Sequence, residues 1–143
     1  MTPFQERIRG IIPAMLTALD EKFAVDPRAM RRSARRLLDN GCQGVVVVGT
    51  SGEFSGIDDD QREIAIRAVV DELTGQAPVI VGCGQPNVRR THEEAQQAAD
   101  LGADGLLVNP PFYFPISQDE VVRFFAELVA SVPLPILLYN IPG

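Results

Sequence analysis

Residues 44–56 read GVVVVGTSGEFSG. A strand with one face in water alternates apolar and polar residues, so four valines in succession, Val45 to Val48, specify a strand covered on both faces. Such strands belong to parallel sheets. The run ends on Gly49, Thr50, Ser51, Gly52 and Glu53, which places a hydroxyl-rich loop at the strand's carboxyl end.

The pattern recurs along the chain. Ile11 to Leu16 (IIPAML), Val79 to Val81, Leu106 to Val108 and Ile136 to Tyr139 are further short apolar runs near glycine or proline. Strand starts at 45, 79, 105 and 136 are spaced by 34, 26 and 31 residues, close to the roughly 30 residues of a strand plus crossover helix. The segments between them read as helices. Asp26-Pro27 supplies a cap and a first-turn proline, Met30, Ala34, Leu37 and Leu38 form the stripe, and Asn40-Gly41 ends it. Asp58 to Asp60 open a second helix, with Ile66, Val69, Val70 and Leu73 on one side. Thr91-His92-Glu93-Glu94 reads as a capping box opening a third, closed by Leu101-Gly102. Ser117 to Glu120 opens a fourth in the same way, with Val121, Phe124, Phe125 and Leu128 as its stripe.

Strict β/α alternation leaves an open doubly wound sheet or a closed (β/α)8 TIM barrel. A dinucleotide-binding sheet carries its glycine fingerprint after the first strand, and LTALDEKF, residues 16–23, contains no glycine. The barrel is favoured. A barrel takes about 250 residues, whereas the 143 here supply four βα units plus a fifth strand. Residues 1–143 are therefore expected to be the amino-terminal part of a single barrel domain, with no internal boundary. Half a barrel would leave apolar edges open, so a longer polypeptide is expected.

A net charge of -6 and a pI near 4.7 provide no basic stripe for nucleic acid. No apolar run is long enough to cross a bilayer. The amino terminus, MTPFQERIRG, is charged where a secretory signal would be apolar, and Cys42 and Cys83 have neither metal-ligand spacing nor the look of a disulfide scaffold. A cytoplasmic protein is expected, without metal or other cofactor.

In either architecture ligands sit at the carboxyl ends of the strands. Those ends are Thr17, Gly49 to Glu53, the loop after Gly82, Asn109 to Phe114, and Tyr139-Asn140. Gly49-Thr50-Ser51-Gly52 gathers two hydroxyls and several backbone N–H groups into a concavity suited to a carboxylate. An ordinary βα turn would use the same residues. Tyr139 projects a phenol toward the same mouth, as a proton carrier or as a tyrosine closing the core. Tyr113, between Phe112 and Phe114, suits packing or a subunit contact. His92 reads as a helix-start residue and Asp58 to Asp60 as partners of a helix dipole.

Together, GTSGEF (49–54), NPPFYF (109–114) and YNIPG (139–143) resemble the dihydrodipicolinate synthase and N-acetylneuraminate lyase family of Schiff-base pyruvate aldolases, and IPAMLTALDEKFAVD (12–26) is similar to the family's opening. The resemblance implies a (β/α)8 barrel and a lyase or aldolase that joins or splits pyruvate and an aldehyde through a lysine imine. It implies that Thr50 and Ser51, with Gly49 and Gly52, bind the keto-acid carboxylate, and that Thr50 links two tyrosines in a proton relay. By the same resemblance Tyr139 moves protons, Tyr113 reaches the neighbouring subunit's site in a homodimer or homotetramer, and Glu53 braces the loop. The family's lysine ends the sixth strand, beyond Gly143. The one lysine of this chain, Lys22, lies in the polar turn Asp20-Glu21-Lys22, where nothing buries it as a nucleophilic amine requires. The 143 residues alone are expected to be inactive. A dehydratase or sugar-acid aldolase on the same scaffold, or a non-catalytic half-barrel acting as a binding or assembly module, are the alternatives.

Overall fold

The computed structural model describes residues 3–141. Its core is a parallel sheet of β1 (Val45–Val47), β2 (Val79–Cys83), β3 (Gly105–Val108) and β4 (Ile136–Leu138), ordered β1-β2-β3-β4. A short helix, α1 (Pro3–Arg7), and α2 (Pro27–Asp39) precede it; α3 (Asp59–Leu73), α4 (Val88–Asp100) and α5 (Gln118–Ser131) are the crossovers. Every crossover moves the chain one strand onward in the same direction. The sheet therefore lacks the reversal that defines a doubly wound fold.

Alternation along the strands gives the sheet two sides. Val45, Val47, Val79, Val81, Cys83, Leu106 and Val108 pack in one core with Ile66, Val69, Leu73, Ala95, Ala98, Phe124 and Leu128 of the crossover helices. The intervening positions, Val46 paired with Ile80 and Leu107 paired with Leu137, face the other way. That second side is the one on which the strand-end residues gather.

Local signals explain the helix starts. The Asp26 carboxylate accepts from the Arg28 and Ala29 amides at 2.9 and 3.0 Å, and these bonds, led by that from Ala29, hold its pKa below the usual range. Ser117 and Glu120 form the expected capping box. Asp59, in the first turn of α3, pairs with Arg90 of α4 at 2.5 Å.

Three features differ from the sequence expectation. Ile11 to Leu16 is not a strand: it makes a single parallel bridge, Ala14 to Val46, framed by Met15 N to Val46 O and Val46 N to Pro13 O, each 2.8 Å. Pro13 has no N–H to give, so the ladder cannot lengthen through it. The helix α4 starts before the proposed capping box, on Asn87, whose side chain accepts from the Arg89 and Arg90 amides. Thr91 and Glu94 are buried within the helix and hold the loop after β2 instead. His92 bonds Ser131 Oγ through Nδ1 at 2.9 Å, joining α4 to α5. Finally, α1 was not anticipated; its Phe4 ring closes over Gly105, and Arg7 pairs with Asp104 at 2.6 Å.

Apolar side chains are left uncovered at the borders of the sheet. Leu16 is 72% exposed beside β1, and Leu138 is 66% exposed on β4. No helix among the described residues is long and apolar enough to cross a membrane.

The tightest backbone contact in the sheet lies at Gly82, where an added Cβ would stand 2.4 Å from Val48 O and 2.7 Å from Gly49 Cα. Gly56 has no neighbour within 4 Å of the same position. Gly82→Ala should therefore cost about 1–3 kcal/mol, the scale of overpacking, while Gly56→Ala stays within about 0.5 kcal/mol of wild type. Thermal unfolding of the two variants checks this; equal midpoints would show that the loop after β1 yields without cost.

Candidate active site

β1 stops one valine short of the valine run. Val48 is buried and left-handed, with φ 48°, a conformation strained for a β-branched residue by about 1–3 kcal/mol. The kink turns the chain off the sheet and over Gly82. Gly49 then caps a tight 3-10 turn, Thr50–Gly52, closed by Gly52 N to Gly49 O at 3.0 Å and Glu53 N to Thr50 O at 3.1 Å. The Thr50 and Ser51 amides, first in the turn, make no hydrogen bond among the described residues, as expected of the opening donors of any helical turn. Thr17 Oγ1 donates to Gly52 O at 2.7 Å, so the end of the first apolar run braces this loop. Glu53 contributes through its backbone, left-handed at φ 57° between two turns.

Tyr139 arrives from the far side of the sheet. Its amide donates to Val108 O at 2.8 Å, carrying the β3–β4 ladder one residue past β4, and the half-buried ring lands on the face of Leu107. Val48, Gly49, Thr50, Phe54, Gly82, Cys83, Leu107, Asn109 and Tyr139 line one narrow crevice. Thr50 and Tyr139, remote in sequence, thus share one wall-to-wall space. Ser51 is exposed and lines neither this crevice nor the hollow beside it, while Gly52 is buried against Met15 O and Thr17 Oγ1.

The neighbouring hollow is bounded by Thr50, Phe54, Asn109, the loop from Pro110 to Ile116, and Ile141. Thr50, Phe54 and Asn109 are common to both spaces and form their partition. Phe54 meets Phe112 edge-on at 6.0 Å. Tyr113 stands at the rim, 84% exposed and left-handed at φ 80°, edge-on to Phe114 at 4.9 Å. No hydrogen bond joins the Thr50, Tyr113 and Tyr139 hydroxyls among the described residues. Pro142 and Gly143 of the YNIPG stretch lie outside the described residues.

Sequence reading named Asn109 as a strand end, and Thr91 and Glu94 as a helix cap, but not the framework they form under the crevice. Asn109 is buried, donates from Nδ2 to Pro110 O at 2.9 Å, and lies against Gly84, where a Cβ would come within 2.3 Å of its Oδ1. Its one sequence signal is a polar residue before proline at a strand end. Glu94 accepts from Gly84 N at 3.3 Å and Gln85 Nε2 at 2.6 Å, and Thr91 Oγ1 accepts from Gln85 N at 3.0 Å. Burial pushes the Cys83 thiol up to about 12, so it stays protonated at neutral pH. Lys22 is exposed in a turn where Asp20 Oδ1 accepts from the Lys22 and Ala24 amides; it lines neither space. No cluster of three His, Cys, Asp or Glu side chains suited to a metal ion occurs among the described residues.

The model of the dihydrodipicolinate synthetase family matches residues 7–143. An uncharacterised DapA-like lyase of Halobacterium salinarum is 38% identical over 136 residues, covering 95% of this chain and 45% of its own. The 4-hydroxy-tetrahydrodipicolinate synthase of Methanopyrus kandleri is 36% identical over 138 residues, covering 96% and 46%. Among solved structures, YagE of Escherichia coli K12, a prophage protein of the dihydrodipicolinic acid synthase family crystallised with pyruvate, superposes with a TM-score of 0.90 at 33% identity, over 94% of this chain and 45% of that one. The chain spans less than half the length of the relatives it matches. It belongs to the dihydrodipicolinate synthetase family and corresponds to the amino-terminal half of its members.

Proposed function

We propose that this chain supplies the carboxylate-binding and proton-transfer side of a cytoplasmic pyruvate aldolase or lyase, within a closed (β/α)8 barrel whose imine-forming lysine lies outside residues 1–143. The observation that carries the reading is the shared crevice of Thr50 and Tyr139 at the carboxyl ends of β1 and β4. The crevice itself has room for about one water. A keto acid would therefore sit at its edge, in the adjoining hollow that shares Thr50, Phe54 and Asn109, and it needs two things there. Its carboxylate needs donors, and Thr50, whose hydroxyl and opening-turn amide lie at the crevice, is the one placed to give them, with the Ser51 amide next along the turn. Its carbonyl oxygen must leave as water when an amine adds, and a phenol placed at Tyr139 is suited to deliver that proton. The binding of pyruvate by YagE supports the choice of keto acid. Lys22 is in the wrong place to be the amine, which is why the lysine is sought elsewhere. The second substrate is an aldehyde, and neither metal nor organic cofactor is needed for imine chemistry of this kind.

The same reading takes Tyr113 as a subunit-contact residue in a homodimer or homotetramer, completing the relay through Thr50 from a neighbouring protomer. What supports it is the strained, exposed Tyr113-Phe114 pair: apolar rims of this kind mark interfaces, and backbone strain is kept where structure or partner repays it.

In the full polypeptide Tyr139→Phe should lower turnover about 10²-fold or more, the scale of a general acid–base group, with the unfolding midpoint unchanged. Thr50→Val should raise the KM for pyruvate about 10-fold or more, the scale of a hydrogen bond to a charged group. Wild-type kinetics in both variants would remove the crevice from the reaction. For the assembly, Tyr113→Glu should shift sedimentation toward smaller species and reduce turnover together; unchanged sedimentation would place Tyr113 outside any interface.

A further inference from the structure

The most deeply buried charged side chain of the described molecule takes no part in the chemistry above. Arg62, on the first turns of α3, is 3% exposed. Its Nη2 donates to Gly82 O at 2.8 Å and lies 3.4 Å from Cys83 Sγ. Its Nε and Nη1 are buried without a hydrogen-bond partner among the described residues. The acids nearby are engaged elsewhere: Asp59 by Arg90, and Glu94 by Gly84 N and Gln85 Nε2. A buried guanidinium that lacks a carboxylate partner and leaves two nitrogens unsatisfied is costly to stability.

Strand geometry shows what this arrangement achieves. Carbonyls alternate in direction along a strand, and Cys83 O faces β3, where it accepts from Asn109 N at 3.3 Å. Gly82 O therefore faces β1. Pairing with β1 ends at Val47 and Val81, because the left-handed turn at Val48 takes the chain out of the ladder. Gly82 O is left without a strand donor, and Arg62 supplies one from the helix layer. Around that point Gly82 bears the close approach of Val48 and Gly49, and Gly84 bears Asn109.

We propose that Arg62 is a positioning residue: it replaces the missing ladder donor at Gly82 O, fixes the carboxyl end of β2, and so sets the Thr50 turn and Asn109 in the crevice without touching substrate. The role rests on the aldolase reading of that crevice. It predicts that stability and turnover separate on substitution, since an apolar side chain of similar length removes an unsatisfied buried charge while releasing the carbonyl.

The test uses the full polypeptide, with Arg62→Met, Arg62→Lys, Thr50→Val and the Arg62→Met/Thr50→Val double variant, measuring unfolding midpoints and pyruvate-dependent turnover. Arg62→Met should keep or raise the midpoint and lose about 10-fold or more in turnover, the cost of a small misplacement of reacting groups. Arg62→Lys, which retains one donor, should recover most of that loss. The double variant should be no slower than Thr50→Val alone, because residues acting through one another are non-additive. Parallel loss of midpoint and turnover, wild-type turnover in Arg62→Met, or additive losses would each overturn the proposal. If the wild-type protein does not turn over pyruvate, the aldolase reading fails by itself, and crystal structures decide on Arg62: a displaced Thr50–Gly52 turn in Arg62→Met supports the role, and a superimposable turn overturns it.

Discussion

The absence of a side chain at Gly82 allows Val48 and Gly49 to cross the end of β2 at a distance no Cβ would permit. The rest of the site depends on that contact. It lets β1 leave the sheet at a left-handed valine, starts the Thr50–Gly52 turn over β2, and brings Thr50 into one crevice with Tyr139 from the opposite side of the sheet. Strain at Val48 is offset by burying its side chain, since an isopropyl group taken from water stabilises by about 1.5–3 kcal/mol. The valine run is thus three residues of strand and one residue of hinge.

Much of the fold was legible because parallel strands covered on both faces write themselves as uninterrupted apolar runs, and the spacing of those runs fixes the helices between them. Val45, Val79, Gly105 and Ile136 do begin strands. Ile11 to Leu16 looked equally apolar, yet composition does not report whether each residue has an N–H to donate; Pro13 does not. The start of α4 was misplaced because Thr91-His92-Glu93-Glu94 has the spacing of a capping box, while the actual cap, Asn87, stands four residues earlier without the glutamate three residues on that completes the signature. Spacing identifies hydrogen-bonding capacity and leaves the partner open: Thr91 and Glu94 use theirs on Gln85 and Gly84.

The placement of the candidate site residues was legible where chemistry and chain position coincide. Thr50, Gly49 and Tyr139 sit at strand ends, where parallel α/β folds collect ligands, and they meet there. Ser51 shares the loop and not the crevice, because successive residues in a tight turn point in different directions. The roles of Asn109, named only as a strand end, and of Arg62 were beyond sequence reasoning for a different reason. Their significance is relational, one lying against a glycine of another strand and the other reaching a carbonyl twenty residues away, and no local pattern records such pairings.

The one lysine of these residues, Lys22, is exposed in a turn away from the crevice, which fits the proposed division in which this half brings Thr50 and Tyr139 and the amine comes from outside residues 1–143. Treating the full polypeptide with pyruvate and borohydride, then mapping the reduced adduct by peptide mass, tests that division most directly. One pyruvate-derived adduct on a lysine outside residues 1–143, with Lys22 unmodified, is the predicted result. An adduct on Lys22, or none on any lysine, would contradict it.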